Sequence, residues 1–546
     1  MHFSILGLLG ASLAWTASAT PIVQPELQSR ATNFNNPVLW QDHPDLDVFR
    51  VGDVFYYSSS TFAFSPGAPV LKSYDLVNWT PVSHSVPRLD FASKYNLNSA
   101  TDRAYVKGIW ASSLQYRKSD DTFYWIGCIE GKTYVYTSTN SGAGANNGEV
   151  NNWNWSLRAT LNKCYYDCGL FFDDNDTVYV AYGNTDIQVA QLSSDARSEV
   201  RSQSVYKGSV TIEGSRMYKV NGNYYIFVTR PANEEWVLKA SSPFGPYTQR
   251  VLVASISGPL SNAGFAHQGG IVGTKDNKWY YMGFMDAYPG GRIPVSAPIT
   301  WGSDGFPVLT KVNNGWGQTY PTPVETSKTV PGPEREDSFT SSSLSHEWEW
   351  NHNPDTSKFT VPASGGGIQL STATVTNDLF TARNTLTHRI LGPKSHGTFR
   401  FDISKMADGD RAGAALFRDV AAYIGIYKEG SSARIVMVNN LSLNSDWSTK
   451  STGTIAATGP TLPSGTAEVW LRVQADITPA FSGGATRTTT FLYSVDGGNS
   501  WTQLGGGFGM TNTWQFFTGY RFAAFNHATK SLGGSVVLKS FALKKW

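Results

Sequence analysis

Polar and apolar positions alternate in short, strand-like runs over the first 330 residues, and the alternation repeats. Five times a polar two-residue turn leads into a strand opened by aromatic or β-branched residues. The turns are Gly52-Asp53, Asp120-Asp121, Asn175-Asp176, Asn221-Gly222 and Asp276-Asn277, and the strands open at Phe55, Phe123, Val178, Tyr224 and Trp279. Successive openings lie 68, 55, 46 and 55 residues apart. Each unit carries a second alternating half: Val70 to Trp79, Thr133 to Thr137, Ile187 to Leu192, Trp236 to Ala240 and Ile293 to Trp301. Two hairpins per unit at such a period predict the four-stranded blades of a β-propeller, five in all. No long stretch before residue 330 has helical periodicity.

After Pro307-Val308-Leu309 the repeat stops, and Gly315 to Glu334, with Pro321, Pro323, Pro331 and Pro333, reads as a linker. Beyond it, runs such as Gly397–Ile403, Ala412–Phe417, Ala422–Tyr427, Arg434–Val438, Val469–Ala475 and Thr488–Ser494 alternate with Gly/Ser/Asp turns, the pattern of a β-sandwich. The predicted organisation is all-β: a propeller over residues 33–314, a linker over 315–335 and a sandwich over 336–546. A chain of 546 residues is too long for one core and fits two domains.

The N-terminus reads as a targeting segment. An apolar run from Phe3 to Trp15 precedes Ala17-Ser18-Ala19, a small-x-small cleavage pattern. Residues 1–19 are expected to be a signal peptide and 20–32 an N-terminal extension, making the protein secreted and extracellular. The run is too short to span a bilayer, and no later segment approaches about 18 uninterrupted apolar residues. Asn-x-Ser/Thr sequons at Asn78, Asn154, Asn175 and Asn440 are compatible with secretion. A net charge of +2 with 16% charged residues gives no electrostatic footprint for nucleic acid or an acidic membrane surface. Aromatic residues at 13%, with 18 Trp, suit a ligand with stackable faces, sugars among them, and equally suit a large β core. The three cysteines, Cys128, Cys164 and Cys168, leave at least one thiol without an intrachain partner. Cys164 and Cys168 are near enough in sequence to pair; three buried thiols are the alternative.

Ten to thirteen residues upstream of each strand opening, at nearly equal phase, stand Asp45, Trp110, Asp167, Glu213 and His267. In a radial repeat, equal phase places them around one axis. Glycoside hydrolysis needs two carboxyl groups across such a cavity, one to protonate the leaving oxygen and one to activate water or attack the anomeric carbon. A third acid can raise the donor's pKa by repulsion. Asp47 rivals Asp45, being two residues on, although Asp47, Asp173, Asp174 and Asp176 also read as turn or surface residues. His267, followed by Gly269-Gly270, reads either as structural or as packed near the axis. Arg292 reads as a clamp on a substrate oxygen or as the partner of a blade-closing acid. Trp110 reads as a sugar-stacking platform or as blade core.

On these motifs the chain resembles glycoside hydrolase family 43. Asn36-Pro37-Val38-Leu39 with Pro44–Tyr57 and Ser65–Trp79 resembles the family's first blade; Tyr166–Val180, Ile212–Tyr225, His267–Val272 and Gly290–Val308 resemble the later ones. The resemblance implies a five-bladed propeller and hydrolysis with inversion. Asp45 would be the general base, Asp167 the pKa modulator and Glu213 the general acid, Arg292 would contact substrate, and His267 would be an axial histidine associated with a calcium ion or ordered water. No cofactor is needed for the chemistry itself. The sequence departs from the family's Asp-Pro-Ser, Pro-Ser and Glu-Gly-Pro at Asp45-Leu46-Asp47, Cys168-Gly169 and Glu213-Gly214-Ser215. The first blade looks most like secreted fungal α-L-arabinofuranosidases that trim arabinoxylan. Ala382–Pro393 and Asp408–Gly413 are similar to the concanavalin-like jelly-roll sandwich of those enzymes and of β-xylosidases. The expected partner is arabinoxylan, for a monomer with Trp110 in the pocket wall. A β-xylosidase is the first alternative and a non-catalytic sugar-binding propeller the second. A fructan hydrolase is disfavoured because its Asn-Asp-Pro-Asn-Gly, Arg-Asp-Pro and Glu-Cys motifs are absent.

Overall fold

The computed structural model describes residues 32–546; the expected signal peptide and the extension up to Ala31 lie outside the described residues. Five four-stranded antiparallel sheets follow one another along the chain. Their first strands, Asp47–Val51, Ser113–Arg117, Gly169–Phe172, Glu213–Val220 and His267–Gly273, each pack beside the next, and the fifth packs against the first. These strands therefore ring a central axis, as a five-bladed propeller requires. The predicted strand openings are the second strands of the blades, where Phe55, Phe123, Val178, Tyr224 and Trp279 fill the space between neighbouring sheets.

The inner ring is tight enough to dictate composition. A Cβ on Gly269 would lie 1.8 Å from the Met282 carbonyl oxygen, and one on Gly270 would lie 2.2 Å from the Tyr218 hydroxyl. Only glycine lets backbone approach so closely.

Closure uses a segment that the proline pattern marked as linker. Within 315–335, Thr319–Pro321 forms a strand that pairs with Asn33–Asn35. Asn36 reinforces the junction, its Nδ2 donating to the Ser296 and Gly317 carbonyls at 2.9 and 3.0 Å. The two chain ends of the propeller are thus stitched together before the chain moves on.

The sandwich packs an eight-stranded sheet on a nine-stranded one. Trp348, Phe399, Phe401, Phe522 and Phe541 fill the space between them. The eighth strand of the first sheet comes from the propeller: Phe64–Ser65 pairs with Trp350 and Asn351. Shared strand pairing joins the two domains, and a buried ion cluster adds to it. Glu349 accepts from Arg389 at 2.9 Å and Arg521 at 2.6 Å, with blade-one His84 at 3.2 Å. Burial alone would raise the Glu349 pKa, but the two guanidiniums hold it well below the usual carboxylate range.

Candidate active site

Backbone conformation at the mouths of the inner strands decides where side chains point. Asp45, Asp167 and Gln268 adopt left-handed conformations with φ of 56°, 48° and 44°. Asp45 and Asp167 lie two residues before their strands, and the turn swings their carboxyls out of the strand alternation. Asp45 and Asp47 therefore do not share a face. Asp47 sits within the strand, is fully buried, and accepts from Ser113 Oγ at 2.5 Å and the Leu114 amide at 3.1 Å. It staples blade one to blade two, which corrects both the reading as a rival acid and the reading as a surface turn. Asp173 is also buried, accepting from Lys219 at 2.8 Å and Tyr224 at 2.6 Å. Asp174 and Asp176 lie at the surface.

Asp45, Trp110, Asp167, Glu213 and His267 all line one cavity of about 410 Å³, and Arg292 lines it with them. Asp45 Oδ1 accepts from Arg292 Nη1 at 2.6 Å, and its Oδ2 accepts from Ser60 Oγ at 2.6 Å. Of the two readings for Arg292, the structure realises the pairing, and the partner is Asp45 itself. The guanidinium lies among the rings of Phe284, Phe517 and Phe62, at 5.1, 5.6 and 5.7 Å. Tyr166 Oη and Asn184 Nδ2 both donate to Glu213 Oε2, at 3.2 and 2.7 Å. Burial raises the Glu213 pKa, and the nearby Asp45 charge raises it further. Burial raises that of Asp167 as well, followed by repulsion from Glu213 and Asp45. Three carboxyls in one desolvated site cannot all ionise cheaply, so the Asp167–Glu213 pair holds a proton above the ordinary carboxylate range.

His267 is buried and edge-on to Phe284. Its Nδ1 donates to the Phe265 carbonyl at 3.0 Å, and Nε2 lies 3.9 Å from Asp286. Calcium takes six to eight oxygen ligands. Among the described residues no three His, Cys, Asp or Glu side chains converge as a ligand set. Trp110 is half-buried on the cavity wall, edge-on to Tyr166, with its indole N–H donating to the Val106 carbonyl at 3.0 Å. It is not blade core.

Other cavity groups carried no mark in the sequence. Tyr166 and Asn184 lie in loops beside the acids. Phe481, Trp514 and Phe517 come from the sandwich, so that domain forms one wall of the cavity. Arg292 Nε donates to the Phe517 carbonyl at 3.1 Å, and Asp42 ties the Arg292 amide at 2.7 Å to the Gly519 amide at 2.9 Å. The sandwich thereby helps hold the residue that pairs with Asp45. The loop before Asp167 is fastened by a Cys128–Cys164 disulfide, while Cys168 is a buried free thiol. Neither the Cys164–Cys168 pairing nor three free thiols describes the molecule.

A propeller with three acids at the mouth of its axial cavity, walled by a sandwich, is the architecture of a glycoside hydrolase. Residues 34–307 match the model of glycosyl hydrolases family 43, and residues 336–544 match the beta xylosidase C-terminal concanavalin A-like domain. The chain belongs to glycosyl hydrolase family 43. It is 28% identical over 453 residues to a beta-xylosidase of Formosa agariphila, covering 72% of this chain and 74% of that protein. It is 27% identical over 372 residues to a non-reducing end alpha-L-arabinofuranosidase of Bacteroides ovatus, covering 63% and 66%. A solved family 43 structure shares 59% identity and a TM-score of 0.92 over 94% of this chain and 100% of the other. That enzyme's active site was engineered to display both endo-xylanase and exo-arabinofuranosidase activity.

Proposed function

We propose that this protein removes α-L-arabinofuranosyl side chains from arabinoxylan by a single displacement with inversion. Asp45, steadied by Arg292 and Ser60, takes a proton from the attacking water. Glu213 donates a proton to the leaving oxygen, and its raised pKa suits it to arrive protonated. Asp167, itself raised by burial and by the Glu213 and Asp45 charges, shares and tunes the pair's proton. Arg292 and Trp110 border the sugar. The observation carrying this reading is the convergence of the three carboxyls on one cavity. The likeness at 59% identity to an enzyme whose engineered form has exo-arabinofuranosidase activity supports arabinose as the sugar released.

The beta-xylosidase relatives support a second reading, removal of xylose from xylo-oligosaccharides by the same acids. Product analysis separates the two. Wheat arabinoxylan should yield free arabinose and an otherwise intact xylan; xylose as the released sugar would overturn the first reading in favour of the second. We also propose that the protein acts outside the cell, as a monomer. The disulfide and four sequon asparagines that are all exposed support extracellular action.

A further inference from the structure

Beneath the cavity floor lies a guanidinium that the steps above do not use. Arg216, the fourth residue of the inner strand of blade four, is 2% exposed. Its Nη2 donates to the Asp45 carbonyl at 2.8 Å and its Nε to the Leu46 carbonyl at 2.9 Å. Its Nη1 donates to the carbonyls of Cys168 at 2.8 Å and Ser215 at 2.9 Å. One planar group thus grips three blades: at Asp45 itself, at the residue after Asp167, and two residues beyond Glu213.

We propose that Arg216 is a positioning residue for hydrolysis, a clamp that fixes the left-handed backbone from which Asp45 and Asp167 project. The proposal rests on the reading of Asp45, Asp167 and Glu213 as the reacting acids. Non-glycine residues hold left-handed conformations only where their surroundings over-determine them. Arg216 supplies that constraint at the Asp45 carbonyl and, one residue beyond Asp167, at the Cys168 carbonyl. An arginine fits because its N–H donors lie in a fixed planar fork; a lysine is a point charge on a flexible stem and cannot hold four carbonyls in one plane. The charge has a second effect. Asp47, Asp167, Glu235, Cys168, Tyr218 and Tyr57 all feel this cation. At Asp167 it opposes the upward push of burial and of the other two acids.

The test compares Arg216→Lys and Arg216→Met with wild type and Glu213→Gln, measuring kcat, KM, pH profile and thermal midpoint. Arg216→Lys keeps the charge and loses the fork. It should lower kcat about 10- to 100-fold, the size expected when reacting groups shift by about an ångström, with KM changed far less. Arg216→Met should lower kcat at least as much and move the alkaline limb of the profile to higher pH, because Asp167, which shares the pair's proton with Glu213, loses its cationic neighbour. A folded Arg216→Lys enzyme with wild-type kcat would overturn the clamp, since a merely structural role moves the thermal midpoint alone; this variant decides the matter if Arg216→Met does not fold. Full activity in Glu213→Gln would instead overturn the acid assignment. An inactive Glu213→Gln beside a fully active Arg216→Lys overturns only the clamp.

Discussion

A left-handed residue breaks the up-down alternation of a strand, and at the mouth of blade one this separates two aspartates that sequence spacing makes equivalent. Asp45, at φ 56°, opens into the cavity; Asp47, inside the strand, turns to Ser113. Three acids then share one desolvated space, and their charges cannot be treated singly. Burial raises both Asp167 and Glu213, the Asp45 charge repels both, and Glu213 adds to the push on Asp167. With Glu213 as the proposed proton donor, activity should fall as pH rises through that raised value. Repulsion in a coupled pair acts on both members, so replacing Asp167 by Asn should lower the Glu213 pKa and move the alkaline limb of kcat/KM to lower pH, with kcat near neutrality reduced about 10²-fold or more. A limb that stays in place in a folded Asp167→Asn enzyme would show that Asp167 does not tune the acid. The value of five residues at equal phase was legible in the chain because a radial repeat converts phase into position. The left-handed turns that aim Asp45 and Asp167 were not, because aspartates at such sites look like any others.

At the scale of elements, each blade is a repeat, and the loops between blades carry the differences that matter. The loop joining blades two and three holds Tyr166 and Asp167 and is fastened by Cys128–Cys164, across a sequence separation of 36 residues. Cross-linking a loop of this length stabilises a fold by about 2–4 kcal/mol, chiefly by restricting the unfolded chain. Cys164→Ser should lower unfolding stability by that order in denaturant titration, and an unchanged midpoint would mean that the bridge adds nothing. The pairing was hidden because Cys128 lies in the second strand of blade two, and only the blade's folding brings it to Cys164. The strand Thr319–Pro321 was hidden for another reason: prolines are found in edge strands as well as linkers, and here the strand forms a two-stranded ladder with Asn33–Asn35 outside the blades.

For the whole molecule, the sandwich acts as a wall of the site. Phe481, Trp514 and Phe517 reach the cavity from more than 180 residues beyond the last propeller acid, a contact that no local pattern announces. Three devices hold the domains in register: the shared strand at Phe64–Ser65, the Asp42 bridge and the Glu349 cluster. Breaking a buried ion pair by removing one partner costs about 3–5 kcal/mol. Glu349→Gln should destabilise the protein by that amount near neutral pH. Because the folded pKa is depressed, the wild-type contribution is complete above the unfolded value of 4.5 and disappears as pH falls through the lower folded value. The stability gap between wild type and variant should therefore narrow in acid; a gap independent of pH would contradict the assignment. The two-domain all-β design was readable from strand spacing and turn chemistry, whereas the interdomain contacts depend on tertiary placement alone.

Everything proposed for the site turns on release of arabinose with inversion by the three propeller acids. It is tested most directly by following wheat arabinoxylan hydrolysis by proton NMR from the first minutes. The first free sugar should be arabinose, appearing as the β-anomer before mutarotation. Xylose as that sugar, or α-arabinose formed first, would contradict it.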